Sequence, residues 1–266
     1  MPSDAAPLSP LDQQQITAAL VGTPFADVRV VDETASTNAD AAALLGSSFG
    51  TTIVAEMQSA GVGRTGRAWH ASRSSSLLFT TILPQEIAVS DLWAATFWTA
   101  LAVADGIERA CGVRVDLKWP NDLLLAGRKL SGILCVSRIS GERAWVGCGV
   151  GLNVFRPSDP TAIAEIAPEP AFLSDLAPQV DRTSLFTAIL HAFAERVPLL
   201  ARPAVIARAW EERAAIDGTR YRLRLDRDGS IVEGIARGLG ADGALRIQPE
   251  DADEVSIHLA DAHVVR

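Results

Sequence analysis

The sequence predicts an α+β protein, a sheet with helices packed on it, followed by a small β-barrel or sandwich. Three observations predict it. Apolar strands alternate irregularly with helical stretches from residue 28 to about 216. From Gly218 the texture changes to short strands separated by the turns Asp228-Gly229 and Asp242-Gly243. At 266 residues with 48% apolar content, the chain can hold one sizeable core and a smaller second unit. The expected division is an N-terminal tail and helix over 1–27, a main domain over 28–216 and a small domain over 217–266.

Residues 1–8 are expected to be disordered. Ser9-Pro10-Leu11-Asp12 predicts a helix start, with Ser9 as cap and Pro10 at the first helical position, and Gly22 ends the helix. Val28–Asp32 reads as a strand. Ser36-Thr37-Asn38 precedes a helix over Ala39–Leu45, and Ser36 or Thr37 is the natural N-cap. A helix N-terminus also offers free N–H groups and hydroxyls to a polar ligand. Thr51–Glu56 and Leu77–Leu83 are strands. Ser90-Asp91 caps a long helix running to Ala110 and ended by Gly112; it is apolar on all faces and therefore buried. Val113–Leu117 alternates as a strand, and Ala144–Gly151 is a glycine-rich strand. Residues 156–170 read as a loop. Helices over Ser184–Val197 and Ala204–Arg213 follow, then strands Tyr221–Leu225, Ile231–Leu239, Ala244–Ile247 and Val255–Leu259.

The chemistry concentrates in KWPNDLLLAGRKLSGIL, Lys118 to Leu134. Trp119-Pro120 interrupts pairing, Asn121 and Asp122 supply turn chemistry, and Gly127 turns the chain between two apolar strands, Leu123–Leu125 and Ile133–Val136. Such a hairpin can bring the Asp122 carboxylate near the Lys129 ammonium, a pairing suited to a metal and a phosphate ester. Taken alone, the hairpin pattern favours an ordinary hairpin with a solvated Arg-Lys tip; other stretches of the chain reverse that weighting.

GVGRTG, Gly61 to Gly66, matches the spacing of a dinucleotide-binding loop, but no helix opening follows and position 81 is Thr81 where a ribose-binding acid would be needed. What remains is a mobile loop whose glycines admit a ligand and whose Arg64 and Arg67 offer planar, permanently charged donors.

Other classes are disfavoured. A net charge of -8 argues against a duplex-DNA surface. Cys111, Cys135 and Cys148 are far apart in sequence and read as buried thiols in a reducing compartment. No signal peptide is evident, and the most apolar run, Leu92–Ala104, is too short to span a membrane, so a cytoplasmic protein is expected.

In this order, STN (Ser36 to Asn38), Gln58 with the glycine-arginine loop and Trp69, KWPNDL, GRKLSGIL and GVGLNV (Gly149 to Val154), the chain resembles the biotin protein ligases. GIARGLGADGALRI, Gly234 to Ile247, is similar to that family's small C-terminal domain. The resemblance implies a mixed central sheet of the class II aminoacyl-tRNA synthetase and biotin ligase type, with an SH3-like barrel. It implies that biotin and MgATP form biotinyl-5′-AMP, and that biotin then passes to one lysine of the biotin carboxyl carrier domain of a biotin-dependent carboxylase.

The residues implied to hold biotin are Ser36, Thr37, Asn38, Gln58, Gly61, Val62, Gly63, Arg64 and Lys129. Arg64, Arg67, Trp69, Asn121, Asp122, Lys129 and Asn153 are implied to hold ATP and the adenylate. Lys129, Arg64 and Arg67 are the implied catalytic residues and Asp122 the Mg²⁺ ligand. Val62 stands where the family often has arginine, and the adenine-stacking tryptophan of some members is missing from Glu169–Leu173, which leaves Phe172 or smaller side chains for the base. A lipoate or octanoate ligase or transferase of the same fold is the alternative. Some relatives carry an N-terminal DNA-binding domain; with 35 residues and one cation, Arg29, ahead of Ser36, a monofunctional ligase that binds no operator is expected here.

Overall fold

The computed structural model describes residues 8–164, 166–214, 216–258 and 262–264; the disorder expected of residues 1–8 falls almost wholly outside them. The chain runs α1 (Gln13–Ala19), β1 (Val28–Thr34), α2 (Thr37–Leu44), β2 (Thr52–Gln58), β3 (Ser76–Ile82), β4 (Ile87–Ala88), α3 (Leu92–Cys111), β5 (Asp116–Lys118), β6 (Asp122–Leu125), β7 (Arg128–Ser140) and β8 (Arg143–Asn153). It continues with α4 (Arg182–Arg196), α5 (Pro203–Ala214), β9 (Arg220–Leu225), β10 (Ile231–Leu239), β11 (Leu245–Gln248), β12 (Val255–Ile257) and β13 (Ala262–Val264).

The larger sheet has the order β1-β2-β3-β8-β7-β6-β5, with β4 paired to β8. The β1-α2-β2 crossover makes β1 and β2 parallel, whereas the directly connected strands pair antiparallel, so the sheet is mixed. Alternation along β8 divides its faces. Ala144, Val146, Cys148, Val150 and Leu152 are buried in the main core, while Gly147, Gly149 and Gly151 occupy the other face.

The core lies between the sheet and α3, α4 and α5. α3 is buried nearly throughout, as its apolar composition requires, and ends at Gly112 with φ 66°. Trp98 stacks on Phe193 of α4 at 4.8 Å, and Phe97 on Trp210 of α5 at 4.6 Å. α3 and α4 approach closely at Gly106, where a Cβ would fall 2.5 Å from Ile189. The segment Arg182–Ala201 is long and apolar enough by composition to cross a membrane. Its apolar side chains Leu185, Phe186, Ile189, Leu190 and Phe193 are buried in this core.

The smaller sheet is antiparallel, order β12-β11-β10-β9-β13, with an irregularity in β10 between Ala236 and Leu239. It curls into a half-barrel that fits the expected SH3-like domain. Tyr221 of β9 meets Trp119 edge-on at 6.5 Å, and burial, opposed by a hydrogen bond to the Trp119 backbone, pushes its hydroxyl pKa up to about 12. The small sheet thus rests against the turn that precedes β6.

Several expectations need correction. α1 starts three residues beyond Pro10, because the Asp12 carboxylate accepts from Gln14 and Gln15 N–H and Ser9 lies outside the helix. α2 begins at Thr37, and its cap residue Ser36 makes no side-chain capping bond. Val113–Val115 is not paired; only Asp116–Lys118 forms a strand. The 156–170 loop contains a short 3₁₀ turn, Pro160–Ile163, capped by Asp159. α4 starts at Arg182 because Asp181 caps it. β13 was not read from the sequence, and Leu259, expected to end β12, lies outside the described residues. Cys135 and Cys148, distant in sequence, are cross-strand partners with free thiols, and only Cys148 is fully buried.

Candidate active site

A cleft of about 740 Å³ opens between the N-terminus of α2, the glycine loop, the β6–β7 hairpin, the end of β8 and the loop before α4. Every candidate residue named from the sequence lines it.

At the α2 end, Gln58 takes over the capping that Ser36 does not supply. Its Oε1 accepts from the Thr37 N–H at 2.7 Å and the Thr37 hydroxyl at 3.0 Å. Thr80 of β3 lies within hydrogen-bond reach of both Thr37 Oγ1 (2.9 Å) and Asn38 Oδ1 (2.8 Å). Asn38 donates in turn to the Leu134 carbonyl at 3.1 Å. Asn38 therefore braces α2 against β3 and β7 while it lines the cleft. Thr80 was not singled out from the sequence; a polar residue within the apolar run LLFTTIL was the available signal.

The glycine loop is more ordered than its composition suggests. Val62 bridges Ala68, Trp69 N–H donates to Gly61 O at 2.8 Å, and Arg64–Gly66 form a 3₁₀ turn. Gly61 leaves no room for a side chain, since a Cβ would fall 2.8 Å from Trp69 O and 2.9 Å from Gln58 Nε2. Desolvation lowers the Arg64 pKa, opposed by the negative charges of Asp226 and Asp122. Val62 is half exposed at 50%.

On the hairpin, Lys129 Nζ lies 2.6 Å from Asp122 Oδ1. A register shift between Leu123 and Leu124 sets Lys129 opposite Leu124 and Gly132 opposite Asp122. The ammonium also sits 5.7 Å from the Trp69 ring centroid. Trp69 occupies space that two strand glycines leave open: a Cβ at Gly132 would lie 3.1 Å from its ring, and one at Gly151 2.5 Å. The glycines of β7 and β8 thus make the cleft floor.

Two asparagines hold backbone in place. Asn121 Nδ2 donates to Ile133 O at 2.7 Å, and Asn153 Nδ2 to Ala171 O at 3.2 Å. The Asn153 bond and Ala171 N–H on Lys129 O at 2.8 Å tie the loop before α4 to the hairpin at Ala171. Phe172 lines this end of the cleft, with the Arg156 guanidinium 4.9 Å from its ring centroid. Hydrogen bonds to Glu169 and Asp175 fix Arg156 and raise its pKa.

Asp122 is the expected metal ligand. Among the described residues no group of three His, Cys, Asp or Glu side chains could hold a metal ion. The Asp122 carboxylate is partly exposed to the cleft and would supply one hard oxygen ligand to a Mg²⁺ ion, a donor type that suits this metal when substrate and water complete its shell.

An ammonium–carboxylate pair, two loop arginines and the Gln58-capped start of α2 surround one cleft, a set of charged donors with the chemistry to receive an anionic group. Residues 28–153 match the Biotin/lipoate A/B protein ligase family. The chain is 32% identical over 248 residues to the biotin--[acetyl-CoA-carboxylase] ligase of Mycobacterium tuberculosis, covering 89% of each. It is 33% identical over 207 residues to the bifunctional ligase/repressor BirA of Bacillus spizizenii, covering 76% of this chain and 62% of that one. It therefore spans less than two thirds of the ligase/repressor's length. The biotin protein ligase of Aquifex aeolicus, solved with biotin and ATP, shares the fold with a TM-score of 0.74 at 23% identity, covering 91% of this chain and 100% of that one. The chain belongs to the biotin protein ligase family.

Proposed function

We propose that this protein is an ATP-dependent biotin protein ligase. The observation that carries the reading is the Asp122–Lys129 pair at 2.6 Å, held over Trp69 at the floor of a cleft whose other wall is the Gln58-capped start of α2. In the first half-reaction a biotin carboxylate oxygen bonds to the α-phosphorus of ATP, the bond to the β-phosphate oxygen breaks, and pyrophosphate leaves. Lys129 neutralises the carboxylate and the developing charge on the phosphate together, and Arg64 and Arg67 grip phosphate oxygens. Asp122 would hold Mg²⁺, which supplies further neutralisation of phosphate charge.

Ser36, Thr37, Asn38 and Gln58, with the backbone of Gly61, Val62 and Gly63, orient biotin. Trp69, Asn121 and Asn153 shape the nucleotide end, where Phe172 offers the base an aromatic face. In the second half-reaction the amine of a carrier lysine attacks the acyl carbon, AMP leaves, and the lysine proton passes to solvent. A biotin carboxyl carrier domain is the proposed acceptor, because the Mycobacterium and Paracoccus denitrificans relatives are biotin--[acetyl-CoA-carboxylase] ligases. Three free thiols support a reducing, cytoplasmic setting.

The test is to incubate the protein with biotin, MgATP and a carrier domain that has one target lysine. Biotinylation of that lysine, abolished by its replacement with arginine, is the expected result. Acylation by lipoate or octanoate, with none by biotin, would transfer the site to the other branch of the family.

A further inference from the structure

Both ends of the glycine loop converge on a buried ion pair that lies outside the cleft lining. Glu56 sits two residues before Gln58 on β2, and Arg182 opens α4; their side chains are 6% and 3% exposed and 2.5 Å apart. The Glu56 carboxylate also accepts from the Ser74 hydroxyl at 2.8 Å and the Leu11 N–H at 2.6 Å. The Glu56 carbonyl accepts from the Ser74 N–H at 2.9 Å. Ser74 is thus bound twice to Glu56, and it has φ 58°, a left-handed conformation that a serine keeps only when its surroundings hold it. Arg182 donates to the Ser76 carbonyl at 3.0 Å, at the first residue of β3, and to the Ser9 carbonyl at 3.0 Å. One root of the loop leaves β2 beside Glu56, and the other enters β3 through Ser74 and Ser76.

We propose that Glu56 and Arg182 are positioning residues that clamp the two roots of the glycine loop, and so set how often the loop closes Arg64 and Arg67 over a bound adenylate. The effect on the adenylate rests on the ligase reading above. A loop with rigid roots has few open conformations, so its closed state is well populated; loosening the roots lowers that population and the apparent affinity together. A purely structural pair would act otherwise, lowering the folded fraction and hence kcat while leaving KM unchanged.

The experiment compares wild type, Ser74→Ala and Glu56→Gln as full chains. Hydrogen exchange of amides 61–73, in the absence of ligands, scores the clamp without reference to biotin. Exchange faster on the order of tenfold in Ser74→Ala, with the α3 and α4 amides unchanged, is the expected result. Ser74→Ala keeps the test decisive should Glu56→Gln not fold. Adenylation kinetics then score the consequence: KM for biotin and the rate of biotinyl-AMP release rise together on the order of tenfold, and kcat stays within about twofold. Unchanged exchange at 61–73 overturns the clamp. Faster exchange with unchanged KM and release overturns its role in closure. A wild-type protein that forms no biotinyl-AMP instead overturns the ligase reading, and the exchange measurement still decides the clamp.

Discussion

The two faces of β8 carry one strand's residues to opposite ends. Ala144, Val146, Cys148, Val150 and Leu152 are buried under the helices, where side-chain volume is what holds the fold. Gly149 and Gly151, between them, hold nothing; their missing side chains make room for Asn38 and for Trp69, on which Lys129 sits. Stability is written on one face in methyl groups and the cleft on the other in their absence. A glycine inside a strand costs some strand stability, and here each is matched by a cleft residue that needs the space.

The apolar face has a charged exception, and it should give the largest effect. At neutral pH, Glu56→Gln leaves the buried Arg182 without its partner and should lower stability by about 3–5 kcal/mol. Burial alone would raise the Glu56 pKa, but hydrogen bonds from Leu11, Arg182 and Ser74 hold it below the ordinary 4.5. A lowered carboxylate pKa contributes stability above about pH 4.5, and that contribution is lost as pH falls through the folded value. The stability gap between wild type and Glu56→Gln, measured by denaturant unfolding, should therefore narrow as pH drops below 4.5.

Substitutions on adjacent residues of β8 test the division between the faces directly. Leu152→Ala should cost about 2–5 kcal/mol of stability and leave activity per folded molecule nearly unchanged. Gly151→Val should keep the fold, displace Trp69, and lower adenylation on the order of a hundredfold. Urea unfolding and single-turnover adenylation on both variants check this, and equal losses on both scales in both variants would erase the comparison.

How much of this was legible follows the same division. The apolar α3 and the Asp-Gly turns of the small sheet are visible because local composition and spacing encode them; the alternation of buried side chains and glycines along β8 appears only with the sheet in place. The candidate residues were visible because Lys129, Asp122 and the loop arginines stand in short, dense motifs. What stayed hidden depends on partners far apart in sequence. Gln58 displaces Ser36 from its capping role through a bond across 21 positions. Glu56 meets Arg182 across 126, and Cys135 meets Cys148 through strand register. Glycine content marks β8 in the sequence, but the reason for Gly132 and Gly151 is the Trp69 ring, which reaches them from a distant loop.

Smaller effects complete the contrast. Lys129→Ala should cost about 3 kcal/mol of transition-state stabilisation and little folding stability, because its ammonium is partly exposed to the cleft. Arg208→Ala, which breaks a pair on α5 with side chains 82% and 66% exposed, should change stability by less than about 0.5 kcal/mol and leave activity alone. Thermal unfolding alongside adenylation rates places both variants on the two axes.

The most direct test of the central claim is formation of labelled biotinyl-AMP from biotin and MgATP, by wild type and by Lys129→Ala, with no acceptor present. Wild type should accumulate bound adenylate, and Lys129→Ala, folded as wild type, should make it slower by a factor on the order of a hundred. Adenylate formed at the wild-type rate without Lys129, or none formed from biotin by wild type, would contradict the claim.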